Sequence, residues 1–124
     1  MTRRHDPVAA LAKLEGRYAA LARSLGGIGL IAQGSLRQRY THCNKAGCRC
    51  GAVPPRLHGP YWQWTAKVAG RTVTRRLSDA EAARYQEWIA NDRQLRRIVD
   101  QMRAVAGQAR EIILAAEEAR GSAT

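Results

Sequence analysis

Three cysteines and one histidine that lie close together constrain the fold of this chain more than any other part of its sequence. They are Cys43, Cys48, Cys50 and His58, in the spacing C-x4-C-x-C-x7-H, and they include every cysteine among the 124 residues. Three thiolates and one imidazole match the ligand set of a closed tetrahedral zinc site. Gly47 and Gly51 allow the sharp backbone turns that such a short loop needs. The spacing therefore predicts one structural zinc ion per chain.

The same cysteines allow other interpretations, and the sequence leaves them open. They could be free or redox-active thiols, or one disulfide with a cysteine left over. Iron could take the place of zinc, because thiolate-rich sites accept either metal. His42, next to Cys43, competes with His58 as the fourth ligand. An odd number of cysteines, with no visible signal-peptide pattern, favours the reducing cytoplasm as the location.

The positive charge of the chain is concentrated around these cysteines. The formal net charge is +11, and residues 17–77 contain eleven Lys or Arg and no acidic residue. The flanking segments carry ten basic and ten acidic residues, so their charges cancel. This concentration of positive charge favours nucleic acid as the partner. The alternatives are an acidic protein partner, or a basic surface with no specific partner. No apolar run reaches the ~18 residues of a membrane span, so no membrane partner is expected.

The lack of carboxylates in residues 17–77 also argues against an enzyme. A catalytic zinc site needs an open coordination position and a nearby general base. We find no phosphate-binding glycine loop, no paired carboxylates and no nucleophile–base arrangement in the sequence. The chain is therefore expected to bind its partner without catalysing a reaction, and it has no candidate catalytic residues.

Two amphipathic helices are predicted, one on either side of the cysteine segment. The first begins at Asp6 and Pro7, a capping carboxylate followed by a proline at the first helical position, and it is closed by Gly26-Gly27. The second begins with the capping box that Ser78 forms with Glu81. Its apolar residues keep a spacing of three and four over about 40 residues, which is typical of a coiled coil.

The second helix is too long for a small sheet to cover, and the first helix can cover only half of it. A polar residue at Asp92 and a glycine at Gly107 interrupt its apolar seam, so the pattern also allows a bend or two shorter helices. Ile112 and Ile113 are expected to lack a partner within the monomer. The pattern therefore predicts a homodimer formed through the helices.

Alternating residues between the two helices predict three strands. The cysteine loop joins the first strand to the second, and a tight turn at Ala69-Gly70 joins the second to the third. Trp62 and Trp64 share one side of the second strand and are expected to pack the sheet onto a helix. The predicted strands are Ser35–His42, Tyr61–Val68 and Arg71–Leu77.

The predicted fold class is α+β. It consists of a small three-stranded antiparallel sheet with a zinc knuckle, flanked by an N-terminal helix and a long C-terminal coiled-coil-like helix. The expected segments are an N-terminal amphipathic helix over residues 1–27, beginning with a loose basic tail, and a basic zinc-knuckle sheet module over 28–78. A long helix for packing or dimerisation follows over residues 79–120, with a frayed tail over 121–124.

Basic and aromatic side chains in and around the sheet are the expected contacts to nucleic acid. Arginines are expected to hold phosphates, and tyrosines near the metal loop are candidates for stacking on unpaired bases. The candidates are Arg37, Arg39, Tyr40, Lys45, Arg49, Tyr61, Arg71, Arg75 and Arg76.

The run GSL-x-x-RY-x-x-C-x-K-x-x-C-x-C and the later HGPY resemble a family of short bacterial proteins. That family is a domain of unknown function, often found beside transposases and other mobile-element genes. The resemblance extends from about Leu30 to Met102, and it implies a metal site and a mobile-element context. This chain departs from the family pattern in residues 51–55, where apolar residues stand in place of polar ones. The matching residues are Gly34, Ser35, Leu36, Arg39, Tyr40, Cys43, Lys45, Cys48, Cys50, His58, Gly59, Pro60, Tyr61, Trp88, Ile89 and Asn91.

Together these features predict a zinc-stabilised basic nucleic-acid-binding protein that serves a mobile element as an accessory or regulatory factor. DNA is favoured over RNA by the resemblance alone. The alternative is a coiled-coil adaptor that binds a transposase or recombinase through its helices and uses zinc only structurally. Binding to bare duplex with a steep salt dependence distinguishes the two, because an adaptor need not show it.

Overall fold

The computed structural model describes residues 6–43 and 45–122 of the chain. It contains two α-helices and a three-stranded antiparallel sheet, which confirms the predicted fold class. The expected loose tail at residues 1–5 lies outside the described residues. The elements in chain order are α1 (Pro7–Ser24), β1 (Ser35–Thr41), β2 (His58–Val68), β3 (Arg71–Leu77) and α2 (Asp79–Ser122), with 3-10 turns at Leu25–Gly27 and Arg49–Gly51.

Helix α1 begins where the sequence predicts. The carboxylate of Asp6 accepts hydrogen bonds from the backbone N–H groups of Val8 (3.0 Å) and Ala9 (3.4 Å). Pro7 occupies the first turn, where its missing N–H leaves no bond unmade. The cap therefore satisfies backbone donors that have no partner within the helix.

The sheet has the strand order β1-β2-β3, and both pairings are antiparallel. Ala69 (φ 51°) and Gly70 (φ 79°) form the two-residue turn between β2 and β3. Both residues have positive φ, as this kind of hairpin turn requires. The predicted hairpin is therefore present, and it sets the register of β3 against β2.

Two predicted strand ends are wrong. β1 ends at Thr41 instead of His42, and β2 begins at His58 instead of Tyr61. β2 is longer because His58 pairs with Thr41 across the sheet, after a register shift that follows Arg39. The strand therefore reaches into the segment that the sequence assigned to the loop.

One face of the sheet packs against the beginning of α2. The ring centroids of Trp64 and Tyr85 lie 5.0 Å apart, and so do those of Tyr85 and Trp88. Ala66 and Leu77, on the same face, are only 5% and 4% exposed. Both tryptophans of β2 are half-buried, and Trp64 packs against α2 as predicted.

The connector before β1 is held against α2 by hydrogen bonds. The backbone N–H of Ala32 donates to the carbonyl of Trp88 (3.1 Å), and the amide Nδ2 of Asn91 donates to the carbonyl of Leu30 (2.8 Å). These bonds satisfy polar groups beside the aromatic contacts, and they position the chain as it enters the sheet.

The capping box predicted at the start of α2 is confirmed. The N–H of Glu81 donates to Ser78 Oγ (3.1 Å), and the N–H of Ser78 donates to Glu81 Oε1 (3.0 Å). The bonds from the Ser78 N–H and hydroxyl, with the charge of Arg75, lower the pKa of Glu81. α2 then continues without a break to Ser122, past Gly107 and two residues into the expected tail, whose last two residues lie outside the described chain.

The chain divides into two compact units. One is Gly29–Asp92, which contains the sheet, the cysteine loop and the start of α2, and the other joins the segment up to Ile28 with the segment from Arg93 onward. α2 contributes to both units, whereas the segments expected from the sequence follow individual elements. No helix in the described residues is long and apolar enough to cross a membrane.

In the unit that contains α1, this helix lies beside the C-terminal half of α2. Ile98 and Val105 are the buried residues of α2 beyond Asp92, 8% and 2% exposed. Ile112 is half-buried and lines a cavity together with Leu14. Ile113 remains 41% exposed.

Candidate metal centre and basic surface

The four predicted ligands come from one short loop and the strand ends beside it. Cys43 follows β1, Cys48 precedes the second 3-10 turn, Cys50 lies within that turn, and His58 is the first residue of β2. The N–H of Gly51 donates to the carbonyl of Cys48 (3.0 Å), which closes the turn. Because β1 and β2 are antiparallel neighbours, the C-terminal end of β1 and the N-terminal end of β2 lie side by side, and the two ends of the loop meet there.

The ligand atoms of these four residues all lie within 4.8 Å of one another. Cys43 Sγ is 3.3 Å from both Cys50 Sγ and His58 Nε2, and Cys48 Sγ is 3.0 Å from the same nitrogen. The backbone N–H of Cys43 also donates to Cys50 Sγ (3.3 Å). Cys50 is fully buried, and the other three residues are half-buried. The cluster is compatible with binding one metal ion.

The separations can be compared with those of an ideal site. Bond lengths of about 2.3 Å to sulfur and about 2.0 Å to nitrogen place tetrahedral sulfurs about 3.8 Å apart, and sulfur about 3.5 Å from nitrogen. Three contacts in the cluster are shorter than this, at 3.0 to 3.3 Å, and all the ligand atoms lie within 4.8 Å of one another. The four side chains therefore lie close enough together to hold one tetrahedral ion after small side-chain movements.

The competing histidine, His42, is not part of this cluster. It is exposed and lies just after β1, whereas His58 lies opposite Thr41 at the start of β2. The strand pairing therefore brings His58 to the cysteines. His42 lies outside the cluster even though it is adjacent to Cys43 in the sequence.

Two of the thiols have pKa values shifted in opposite directions. Hydrogen bonds from the backbone N–H of Cys50, and from the thiols of Cys43 and Cys50, lower the pKa of Cys48 to about 6. For Cys50, the backbone N–H of Cys43 favours the thiolate, but burial and the two neighbouring thiols outweigh it and raise the pKa. Cys48 is therefore mainly thiolate at neutral pH, the form in which cysteine binds metals.

Gly59 joins the ligand His58 to the rest of β2. Its φ of +123° is a conformation that side chains rarely adopt. A Cβ atom at this position would lie 2.6 Å from the carbonyl oxygen of Arg39 and 3.2 Å from the nitrogen of Tyr61. Only glycine fits this close approach of β2 to β1, and the approach holds His58 over the cysteine loop.

The structure distributes the nine candidate nucleic-acid contacts over several surfaces. On the sheet face opposite the tryptophans lie Arg37, Arg39, Tyr61 and Arg76. Lys45 and Arg49 lie in the cysteine loop, and both are exposed. Tyr40 is also exposed and lies at the register shift of β1. On the tryptophan face lie Arg71 and Arg75. In this last group the Nη2 atom of Arg75 is 3.5 Å from Glu81 Oε2.

The sequence analysis missed the other members of the sheet face that carries Arg37. These residues share their side of the sheet with that arginine by strand register, and the alternation of polar residues contained the signal for them. They are Ser35, Gln63, Thr65, Lys67, Thr72 and Thr74. We call the ten residues that face this side the polar face.

Together the fold and the cluster define a small α+β protein with a three-cysteine, one-histidine cluster that is compatible with binding one metal ion. The chain belongs to the family described as a domain of unknown function (DUF6788), whose model matches residues 4–87. The match begins earlier than the resemblance seen in the sequence and ends before Trp88, so it includes α1 and excludes most of α2. No curated protein and no solved structure matches the chain.

Proposed function

We propose that this chain is a zinc-stabilised basic nucleic-acid-binding protein that acts on DNA as an accessory or regulatory factor of a mobile element. It binds its partner without catalysing a reaction. The observation that carries the proposal is the polar face of the sheet, whose cations are Arg37, Arg39, Lys67 and Arg76. Within the described chain, no carboxylate forms an ion pair with any of these four. A surface of unpaired cations suits a phosphate backbone.

The metal site supports the same function by holding the ends of β1 and β2 together. A site with four protein ligands leaves no open position for a substrate, which is the arrangement of structural zinc. Zinc is the proposed ion because three thiolates and an imidazole suit it, and one ion per chain is expected. Lys45 and Arg49 are exposed on the loop that the ion would stabilise. A bound ion would therefore fix the positions of these two basic residues.

The link to a mobile element, and with it the choice of DNA over RNA, depends on the resemblance carried by the cysteine run and the HGPY segment. The residues themselves indicate only a polyanionic partner. The proposal therefore has a general part, nucleic-acid binding, and a specific part, a role beside a transposase or recombinase.

The first test is binding of the zinc-loaded chain to a fluorescent mixed-sequence duplex over a range of salt concentrations. We expect the logarithm of the association constant to fall with the logarithm of salt concentration, with a slope of about −3 to −4 for one bound chain and about twice that for a dimer with both polar faces on the duplex. Each phosphate neutralised contributes about −0.9, and the polar face carries four cations. Fluorescence anisotropy measures the slope directly.

The control for this experiment is an acidic polypeptide, polyglutamate, which offers negative charge without phosphates or bases. Equal affinity for the two polymers would show that the surface is merely basic and would contradict the proposal. Absence of duplex binding even at low salt would contradict it as well.

The helices support a homodimer as part of the proposal. Helix α1 has no buried residue, and cavities of about 530 and 240 Å³ lie along the two sides of the helix pair. The apolar side chains Tyr18, Ile113 and Leu114 are 40%, 41% and 57% exposed. A second helix pair would cover these surfaces, and two copies would double the number of phosphates contacted.

Replacing Ile113 with Glu tests the dimer. We expect the dissociation constant of the dimer to rise by about 30-fold or more, since an unpaired carboxylate in an apolar interface costs about 2 kcal/mol or more. The matched control is Gln101→Glu, which introduces the same charge at an exposed position of the same helix. Sedimentation velocity measures the equilibrium, and a monomeric parent protein at high concentration would contradict the proposal.

The adaptor function remains the second candidate, because the same apolar surfaces would accept a helix from a transposase or recombinase. An adaptor of this kind predicts a monomeric free chain and no steep salt-dependent duplex binding. The binding and sedimentation measurements together therefore separate the two candidates.

A further inference from the structure

The strand register places three long side chains in one row across the middle of the polar face. Arg37 in β1 pairs with Gln63 in β2, and Gln63 pairs with Arg76 in β3. The neighbouring row is Ser35, Thr65 and Thr74, formed by short hydroxyl side chains. An arginine, a glutamine and an arginine therefore project side by side from the sheet, next to a row that does not obstruct them.

The row is held in place by contacts within the face. The Nη1 atom of Arg39 donates to Gln63 Oε1 at 3.0 Å, which orients the amide. The guanidinium carbon of Arg76 lies 4.2 Å from the ring centroid of Tyr61. A shallow depression of about 280 Å³ beside them is lined by Ser35, Arg37, Arg39, Gln63 and Thr65. Part of the surface is therefore already arranged for a ligand with polar edges.

The aromatic residues needed to bind single strands are on the other side of the sheet. Trp64 packs against Tyr85, and its indole Nε1 donates to the carbonyl of Gln33 (2.8 Å). Tyr61 is the only aromatic residue of the polar face, and Arg76 covers its ring. Proteins that bind unpaired bases do so by stacking them on exposed rings. The polar face lacks such a platform.

The dimensions and chemistry of the face suit duplex DNA. The major groove is about 12 Å wide and admits a two-stranded β-ribbon, and a long side chain such as arginine can reach into it from a third strand beside the ribbon. Arginine forms paired hydrogen bonds with guanine and glutamine with adenine, both on the major-groove edge. We infer that the polar face binds in the major groove of duplex DNA, with Arg37, Gln63 and Arg76 contacting base edges and Lys67 contacting phosphate. This inference rests on the proposed function and adds the form of nucleic acid and the way it is read.

The test compares two double variants that each remove two arginines from the same sheet. Arg37→Ala with Arg76→Ala removes them from the polar face. Arg71→Ala with Arg75→Ala removes two contacts that the sequence predicted but that the strand register places on the tryptophan face, where this inference expects no DNA. With the zinc-loaded full chain and a mixed-sequence duplex of two helical turns, we expect the first pair to lose at least about 30-fold in affinity. The control pair should stay within about threefold, and circular dichroism checks that both variants are folded.

A second measurement asks whether the arginines read bases. Arg37→Lys with Arg76→Lys keeps the charge but removes the paired hydrogen bonds, so affinity for a mixed-sequence duplex should change by less than about threefold. Selection from a random duplex library should enrich a preferred sequence with the parent protein. We expect the lysine variant to lose preference at the corresponding base pairs.

The outcomes distinguish failure of this inference from failure of the proposed nucleic-acid binding. Duplex binding at least about tenfold tighter than that of either separated strand, with the losses above, supports the inference. Tighter binding to single strands, or equal losses from the two alanine pairs, would overturn it while leaving nucleic-acid binding intact. No binding to either form would overturn both.

Discussion

Replacing His58 with Asn is expected to abolish stoichiometric metal binding and to lower the free energy of unfolding by about 3–5 kcal/mol, a loss typical of a missing structural metal. The matched control is His42→Asn, which changes the neighbouring exposed imidazole and should leave both quantities unchanged. The contrast tests the main structural distinction at the site, since His58 Nε2 lies 3.0 Å from Cys48 Sγ and His42 lies outside the cluster.

The physical reason for the large effect is the crowding of three sulfurs. The buried Cys50 and the half-buried Cys43 have sulfurs 3.3 Å apart, and both must lose a proton to bind a metal. Without the ion, two thiolates at that distance would repel each other. The loop from Cys43 to His58 then loses the contacts that close it. The helices should keep most of their circular dichroism signal, because α2 packs on the tryptophan face away from the ion.

Mass spectrometry under native and denaturing conditions measures the bound metal and identifies it. A mass difference of one zinc per chain in the parent protein, removed by a chelator together with the loop's protection from hydrogen exchange, is the expected result. One iron per chain would replace the proposed ion but keep the site. No metal, with all three thiols reacting freely, would remove the basis of the zinc proposal and favour redox chemistry.

Replacing Gly34 with Ala should have the second large effect, a loss of about 3 kcal/mol or more in the free energy of unfolding. Gly34 precedes β1 with φ +102°, and a Cβ atom there would lie 2.4 Å from the carbonyl oxygen of Thr65 and 2.8 Å from Ala66 Cβ. Neither neighbour can move freely, because Thr65 is part of the central strand and Ala66 is buried. The substitution adds backbone strain to a steric clash.

The matched control for this prediction is Gly16→Ala in the interior of α1, where a Cβ atom would meet nothing within 4 Å. Removing a glycine from a helix should stabilise the protein by about 0.5–1 kcal/mol. Urea denaturation of the zinc-loaded proteins measures both changes. Similar changes in the two variants would contradict the clash at Gly34.

Local sequence signals predicted much of this fold. The carboxylate of Asp6 caps α1, Ser78 and Glu81 form the capping box of α2, and the turn at Ala69 and Gly70 is the predicted hairpin. Each of these signals acts through hydrogen bonds or backbone angles within four residues, so the sequence contains the whole interaction. The three cysteines were found for a similar reason, since they lie within eight residues of one another.

Predictions that depended on distant contacts were less successful. The sequence could not show that β2 extends back to His58, because that extension depends on pairing with Thr41 across the sheet. The sequence also did not show which half of α2 lies beside α1, and the structure places α1 beside the C-terminal half. Apolar periodicity identifies the face of a helix that will be buried but not the element that buries it.

The sequence by itself determined the ligand types, the positive charge of the central segment, and the elements with their caps. Only the tertiary structure decided that His58 completes the cluster, and that Arg37, Gln63 and Arg76 form one row while Arg71 and Arg75 face the other way. The physical reason is that charge and ligand chemistry belong to single residues. Convergence on one point or one face depends on the register between strands, which hydrogen bonds and packing set only when the chain folds.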